Sequence, residues 1–215
     1  MTKKDEQLQF LIDCGVVAVM RADSSDQLIR VADAIKEGGV KVIEITMTTP
    51  GALGVIEEAR KRYPGGVLIG AGSVLDPETA RACILAGAEF VVGPTLNPEV
   101  IRLCKRYGKI VIPGAFTPTE ILAAWDHGGD IIKVFPATAV GPQYFKDIHG
   151  PLPQISLLPT GGVSLENAGD FIKAGAVAIA VGTALVDRKA VAEGKWEVLT
   201  ERAAKFIAAV KQARA

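Results

Sequence analysis

The chain has 215 residues, of which 49% are apolar, and 24 Lys and Arg residues balance 24 Asp and Glu residues. This apolar fraction can offset the entropy of ordering the chain, which excludes a disordered protein. The zero net charge gives no support to nucleic-acid binding, which relies on positive surface charge. No uncharged apolar stretch reaches about 18 residues, so we expect no membrane span.

Cysteine usage and the first residues predict a cytoplasmic location. The three cysteines, Cys14, Cys83 and Cys104, are odd in number and widely spaced. They match no zinc pattern and no disulfide framework, so free thiols are expected. The charged, amphipathic N-terminal segment lacks the apolar centre of a signal peptide.

Short apolar runs that follow regularly spaced glycines organise the chain. The glycines are Gly39, Gly66, Gly87, Gly108, Gly129, Gly150 and Gly175, and four of their six intervals are 21 residues. The eight runs are VVAVMR, VKVIEITM, GVLIGAG, EFVVGPT, KIVIPGA, DIIKVFPA, ISLLPTGG and VAIAVGT. Continuous apolar runs without polar alternation are typical of strands buried on both faces, as in a parallel sheet.

The segments between these runs carry helix signals. A capping side chain precedes a proline at Thr49–Pro50, Asp76–Pro77, Asn97–Pro98 and Thr117–Pro118. Thr117 with Glu120, and Ser24 with Gln27, also match the capping box. The chain is therefore predicted to alternate strand and helix eight times, after one extra helix at the front.

Eight such units predict an α/β fold, a closed (β/α)₈ TIM barrel with an extra N-terminal helix. No linker or break in composition appears, so residues 1–215 are expected to form a single domain. The alternative is an open doubly wound sheet, which has the same alternation. Its glycine fingerprint is absent, because Leu75 stands where the GAGSVL segment would need a third glycine. The even period also favours closure.

Three ionisable residues, Arg21, Glu44 and Lys133, lie within or at the end of predicted strands. Lys133 shares a face with Ile131 and Phe135, because strand side chains alternate. Pointing inward near the carboxyl end of its strand, it would reach the barrel mouth, where the active sites of this fold lie. Burial lowers the pKa of an amine, and a neutral amine is a nucleophile toward carbonyls. An ion pair with Glu44 that merely fills the barrel is the structural alternative.

Glu44 is predicted to point into the same cavity, since Val42, Glu44 and Thr46 share a face. A carboxylate beside a Schiff-base lysine can move protons, directly or through water. Its alternative role is that of a counter-ion only. Charges at strand starts are expected at the solvated bottom rim of the barrel, and these are Lys41, Glu89, Lys109 and Asp130.

Glycine-containing loops follow the last two strands, in LLPTGGVS and AVGTALVD. Small residues before a helix expose backbone N–H groups and a positive dipole end, which suit a phosphate. The loops after strands seven and eight are the usual phosphate position in such barrels. We therefore assign Gly161, Gly162, Gly182 and Thr183 to a phosphate cradle, with tight turn geometry alone as the alternative.

Six motifs, in one order from about Val16 to Val186, resemble those of a single family. They are EITMTTP, GAGSV, GPTLNPE, IPGAFTPTE, IKVFPA and PTGGVSLEN. The family is the class I pyruvate aldolases that act on 2-keto-3-deoxy-6-phosphogluconate (KDPG), many of them also on 4-hydroxy-2-oxoglutarate (KHG). The resemblance implies reversible cleavage of KDPG to pyruvate and glyceraldehyde 3-phosphate, and of KHG to pyruvate and glyoxylate.

The resemblance also implies roles for individual residues. Lys133 would form the Schiff base and Glu44 would be the general acid/base, without a metal or other cofactor. Substrate-binding roles would belong to Arg21, Ser73, Pro94, Phe135, Thr160, Gly161, Gly162, Gly182 and Thr183. Ser73 would contact the pyruvate carboxylate, whereas Phe135 and Pro94 would form the pocket wall. The expected partner is a small 2-keto acid phosphate, not nucleic acid or membrane, and the expected assembly is a homotrimer.

The sequence departs from the family pattern after Glu44. Some members carry an Arg four residues later that binds the carboxylate, and Thr48 stands there in this chain. We expect Arg21 to provide this cation from the first strand instead. A second departure is mild, because Ser73 replaces the more frequent Thr and keeps the hydroxyl.

Other functions stay open at this stage. Within the family, the substrate could be the 6-phosphogalactonate epimer or unphosphorylated KHG. Outside it, the chain could be a phosphate-binding isomerase on the same fold, or a non-catalytic trimeric scaffold. Only His127 and His149 are present, both away from the strand mouths, so a histidine metal site is not expected.

Overall fold

The computed structural model describes residues 1–21 and 25–215. Ser24, which was predicted to cap a helix together with Gln27, lies outside the described residues. The strands are β1 (Val16–Met20), β2 (Val42–Thr46), β3 (Leu68–Gly72), β4 (Phe90–Val92), β5 (Ile110–Ile112), β6 (Gly114–Ala115), β7 (Ile132–Val134), β8 (Leu157–Pro159) and β9 (Ile179–Val181).

Helices lie between most of these strands, as the alternation predicts. They are α1 (Lys3–Cys14), α2 (Ser25–Glu37), α3 (Ala52–Arg62), α4 (Pro77–Leu85), α5 (Pro98–Arg106), α6 (Pro118–Asp126), α7 (Gly141–His149), α8 (Ala168–Lys173), α9 (Arg188–Ala192) and α10 (Trp196–Arg214). One 3₁₀ turn at Ala137–Ala139 precedes α7. None of the helices within the described ranges combines the length and apolarity that a membrane span requires.

The strands pair in parallel and form a curled sheet. Six strands are hydrogen-bonded in the order β5-β4-β3-β2-β1-β9, and three in the order β6-β7-β8. β5 and β6 belong to one predicted run and are separated by Pro113, which has no N–H to donate. A bridge between Thr160 and Ala180 connects the end of β8 to β9. The predicted α/β fold with a parallel sheet is confirmed.

Two apolar clusters show which way the strand side chains point. One cluster takes members from β1 to β5, from β8 and β9 and from the residue before β7 but, among the helices, only from α1, so it lies inside the curl. Ile131, just before β7, and Val42 of β2 belong to this inner cluster. Ile132 and Val134 belong to the outer cluster, which packs against the helices. The predicted inward faces of β2 and β7 are therefore confirmed.

Helix α1 covers the amino ends of the strands. Leu11 of α1 is fully buried in the inner cluster. Lys4 forms an ion pair of 2.7 Å with Asp130, just before β7. The Arg214 guanidinium, at the end of α10, donates to the carbonyls of Ile12 and Val177 at 2.6 and 2.7 Å. These contacts join both ends of the described chain to the bottom of the sheet.

Three of the four predicted caps are confirmed, and one is wrong. Asp76, Asn97 and Thr117 each accept a hydrogen bond from a backbone N–H in the first turn of the following helix. Helix α3, by contrast, begins only at Ala52, after Gly51 with a φ of 67°. The Thr49 hydroxyl contacts that of Thr46 instead, so a side-chain contact on the strand replaces the cap.

The expectation that Glu89 lies at a solvated rim is wrong. The residue is 7% exposed because α1 covers this end of the sheet. It accepts hydrogen bonds from the Gln7 amide at 2.6 Å, the Arg60 guanidinium at 2.8 Å and the Ile69 N–H at 3.3 Å. Glu89 therefore ties α1, α3 and β3 together.

Glu89→Ala is expected to lower the free energy of unfolding by about 3 kcal/mol, because it leaves the buried donors unpaired. Urea denaturation measures this change. The matched control is Arg102→Ala, which removes an exposed ion pair with Glu99 and should cost less than about 0.5 kcal/mol. Equal small losses in the two variants would contradict the role of Glu89.

Candidate active site

A cavity of about 720 Å³ opens at the carboxyl ends of β1, β8 and β9. Of the predicted site residues, those lining it are Arg21, Phe135, Thr160, Gly161, Gly162, Gly182 and Thr183. They come from loops that are far apart in sequence and adjacent in the sheet. The structure thus brings the predicted phosphate loops and the predicted carboxylate-binding Arg to one cavity.

Lys133 and Glu44 lie on the inner face of the sheet. Lys133 is 5% exposed and Glu44 is 2% exposed. The Lys133 Nζ lies 4.9 Å from the centre of the Phe135 ring, which is part of the cavity wall. In register, Lys133 is opposite Gly114, and Glu44 is opposite Gly70. A strand neighbour without a side chain thus flanks each of the two long side chains.

Burial shifts both ionisable groups toward their neutral forms. Desolvation lowers the pKa of the Lys133 amine; the Glu44 charge opposes this shift, and the Arg21 charge adds to it. Desolvation raises the pKa of the Glu44 carboxyl, against the charges of Lys133 and Arg21. Among the described residues, no salt bridge joins Lys133 to Glu44. The alternative of a barrel-filling ion pair finds no support in this geometry.

Thr160 carries a hydroxyl that the protein does not satisfy. Thr160 is 8% exposed. Within the described part of the chain, its Oγ1 is the one side-chain polar atom that is closed to solvent and has no hydrogen-bond partner. Burying such a group unpaired costs about 1–3 kcal/mol. A ligand oxygen or a water would become its partner only after the Thr160 side chain rotates toward the cavity that the residue lines.

The glycine loop after β8 has the backbone shape that only glycine adopts without strain. Gly161 and Gly162 have φ values of 88° and 74°. The Asn167 side chain holds the loop by donating to the Gly162 carbonyl at 2.9 Å and accepting from the Ser164 N–H at 2.9 Å. The loop is thus held in a conformation that leaves it facing the cavity.

The expectation that helices begin directly at the two glycine loops is wrong. After Gly162 the next helix, α8, begins at Ala168, and after Gly182 the next helix, α9, begins at Arg188. Turns occupy both intervals. In the second of them, the Gly182 carbonyl accepts from the N–H groups of Leu185 and Val186. Any phosphate at these loops would therefore meet turn N–H groups rather than a helix end.

Ser73 and Pro94 lie apart from this cavity. They follow β3 and β4, which are two and three strands away from β1, and neither residue lines the cavity. Ser73 has a φ of 57°, the one positive value at a non-glycine residue in the described ranges. Such a backbone costs of order 1 kcal/mol and is frequent at functional sites. The predicted roles of Ser73 and Pro94 stay predictions.

Arg188 is a cavity residue that sequence reasoning missed. It lines the cavity together with Gln27 and Ser164. Among the described lining residues, the charged side chains are Arg21 and Arg188, and no carboxylate is present. Two guanidinium groups in one cavity suit a ligand with two anionic groups. The available signal was its position soon after the last strand, behind the capping Asp187.

The arrangement does not provide an obvious metal centre. Within residues 1–21 and 25–215, no group of three or more His, Cys, Asp or Glu side chains is placed to hold a metal ion. His149 instead lies with its ring nitrogens near the carbonyls of Ile155 and Ala174, at 3.0 and 3.4 Å. The cavity has two guanidinium groups and the unpaired Thr160 in its lining, whereas the buried amine of Lys133 and the buried carboxyl of Glu44 lie outside that lining.

Comparison with known proteins identifies the family of this chain. The sequence model of the family described as "KDPG and KHG aldolase" matches residues 9–202. The chain belongs to the KDPG and KHG aldolase family. Aldolases are lyases, and the resemblance found in the motifs is therefore confirmed.

Several relatives of this aldolase are known by activity or structure. It is 36% identical over 185 residues to 2-dehydro-3-deoxy-phosphogluconate aldolase of Pseudomonas aeruginosa, covering 86% of this chain and 84% of that protein. It is 32% identical to 2-dehydro-3-deoxy-6-phosphogalactonate aldolase of Escherichia coli, covering 96% and 99% of the two chains. The KDPG aldolase of Legionella pneumophila, solved with pyruvate as a covalent carbinolamine, matches with a TM-score of 0.84 and 27% identity over 90% of this chain and 95% of that one.

The aldolase is expected to be less stable than a variant in which neutral side chains replace the buried Lys133 and Glu44. Burial disfavours both charged forms, so the double variant Lys133→Met/Glu44→Gln should gain about 1–4 kcal/mol against urea at neutral pH. Lys133→Met alone should gain less, since it removes a positive charge that favours the buried Glu44 carboxylate. A double variant less stable than the wild type would contradict the cost of burial.

The pH dependence of this gain has a definite sign. The pKa of Lys133 in the folded state is lowered from 10.5. The free energy of unfolding of the wild type is therefore not reduced by this group above 10.5, and it falls as pH falls through the folded pKa, because folding disfavours the ammonium form. The stability gap between the Lys133→Met single variant and wild type should therefore shrink as pH rises toward 10.5. A gap that widens would contradict the direction of the shift.

Proposed function

We propose that the chain is a metal-independent class I aldolase that cleaves KDPG reversibly to pyruvate and glyceraldehyde 3-phosphate. The observation that carries this proposal is the Lys133 amine, 5% exposed on the inner face of β7 and beside the cavity wall. An amine whose pKa is lowered by burial is available as a nucleophile toward a ketone. KHG cleavage to pyruvate and glyoxylate is proposed as a second reaction of the same site.

The proposed reaction begins at Lys133. Its Nζ attacks the C2 ketone, and loss of water gives a protonated imine that withdraws electrons. Glu44 removes the proton of the C4 hydroxyl, the C3–C4 bond breaks, and the aldehyde leaves. The enamine that remains takes a proton at C3, and water hydrolyses the imine to pyruvate and the free amine. Covalent catalysis thus divides one carbanion-forming step into easier ones.

The two ends of the substrate fit two groups of cavity residues. Arg21 is close enough to Lys133 and Glu44 to influence the pKa of both, so we place the C1 carboxylate beside it. Arg188 and the turns at Gly161–Gly162 and Gly182–Thr183 line the same cavity and would receive the phosphate. The unpaired Thr160 hydroxyl would bond an oxygen of the substrate between them.

We also propose that the curled sheet is a closed (β/α)₈ barrel formed by one domain, with α1 as the extra N-terminal helix. Pairing of β9 with β1 supports closure on one side. The Thr160–Ala180 bridge and the Val177 N–H bond to the Leu157 carbonyl, at 3.0 Å, support it on the other. A barrel makes the inner face, and therefore Lys133, inaccessible except from the mouth.

Rival functions differ in what they require of this site. An isomerase would not require a lysine on β7, and a scaffold gains nothing from a buried amine. The 6-phosphogalactonate substrate differs from KDPG in its configuration at C4, and unphosphorylated KHG differs beyond C4, so all three present the same C2 ketone to Lys133. Comparison of kcat/KM for the three substrates decides between them. The homotrimer and the cytoplasmic location stay predictions.

Treatment with borohydride and pyruvate is expected to add a reduced pyruvate adduct to Lys133 and to abolish activity. The amine forms an imine with the keto acid, and hydride reduction makes the bond permanent. Peptide mass spectrometry locates the adduct. Lys189 is the internal control because its side chain is 85% exposed. EDTA should leave the rate unchanged, whereas loss of activity on chelation would favour a metal-dependent aldolase.

Arg21→Ala is expected to raise KM for KDPG about tenfold, because a charge-assisted contact to the carboxylate is lost. Thr48→Ala should change KM less than about twofold, although Thr48 also lines the cavity. Steady-state cleavage assays with coupled detection of pyruvate measure both. Equal effects of the two variants would contradict the assignment of Arg21.

A further inference from the structure

The inner face of β3 carries no side chain beside the active site. Leu68 of β3 belongs to the inner cluster, so Gly70 and Gly72 point inward by the alternation of a strand. The space that a side chain at Gly72 would fill is taken by Glu44 from the neighbouring strand. A Cβ placed on Gly72 would overlap the Glu44 Oε1 and Cδ and would lie 2.6 Å from its Cγ.

The pairing register shows which way Glu44 leans. Glu44 is opposite Gly70, and Gly72 is opposite Thr46, one inward position nearer the carboxyl end of the sheet. The Glu44 side chain therefore reaches from its own position across to the Gly72 position. Strand side chains lean along the strand in this way when a neighbour leaves room. The lean carries the carboxyl toward the mouth, where the cavity lies.

We propose that Gly72 is a positioning residue for the Glu44 carboxyl, which lies in the space left by its missing side chain. The proposal rests on the proposed function, in which Glu44 transfers protons at the substrate. A methyl group at position 72 would push the carboxyl out of this space. The displaced atoms are those of a side chain, so the cost is expected in proton transfer more than in folding.

Gly70 provides a matched control on the same strand and the same face. The three atoms nearest a Cβ at Gly70 all belong to the ring of Phe90, whereas those nearest a Cβ at Gly72 all belong to Glu44. Gly70→Ala therefore disturbs the packing of the inner cluster by a comparable overlap, without occupying the space of the carboxyl. The two variants separate damage to packing from displacement of Glu44.

The test is a double-mutant cycle between position 72 and position 44, read in kcat and KM for KDPG. Gly72→Ala should lower kcat at least about tenfold, since a general acid/base contributes about 10²–10⁴, and should change KM less than about threefold. Glu44→Asp shortens the side chain by one methylene and so withdraws it from the added methyl. It should lower kcat in the wild type but raise kcat in the Gly72→Ala background. In the Gly70→Ala background, Glu44→Asp should lower kcat as it does in the wild type.

Two results would overturn the proposal: a wild-type kcat in Gly72→Ala, or a loss on Glu44→Asp that is equal in both backgrounds. If Gly72→Ala does not fold, Glu44→Ala in the same chain must restore folding, and a double variant that stays unfolded overturns the proposal as well. Failure of the proposed function has a separate signature. It would appear as full KDPG cleavage by Glu44→Gln with an unaltered position 72.

Discussion

The proposed chemistry depends on the burial of one amine. Lys133 is held on the inner face of a parallel sheet, where water cannot solvate its ammonium form and desolvation lowers its pKa. Nothing in the fold requires a lysine at this point, since its neighbours Ile131 and Leu158 fill the same inner cluster. In the proposed function, the chain gives up stability at this position and gains a nucleophile, a trade that is frequent at active sites.

The surrounding residues make that nucleophile usable. Arg21 adds positive charge near Lys133 and Glu44 and so favours the neutral amine. Gly72 leaves room for Glu44 where a larger residue would collide with it, and Gly114, opposite Lys133, has no side chain. At the mouth, Thr160 and Arg188 offer an unpaired hydroxyl and a second cation. Small residues thus determine where the large reactive groups lie.

The sequence predicted the parts of this arrangement that are local. Strand alternation predicted the inward faces of β2 and β7, and caps such as Asp76 act within four residues of themselves. It could not predict features set by packing between distant elements. Glu89 is buried because α1 lies across the strand starts, and Arg188 reaches the cavity because of where α9 packs. The contact between Gly72 and Glu44 depends on register, which the letters of either strand do not show alone.

Every step proposed for the site begins from a Lys133 amine whose pKa is lowered by burial. NMR titration of the side-chain methylene next to Nζ, in protein labelled at lysine and assigned with the Lys133→Met variant, measures this directly. We expect a midpoint below the ordinary value of 10.5, and a higher midpoint in Arg21→Ala, because the neighbouring positive charge is removed. A Lys133 midpoint at or above 10.5 would contradict it.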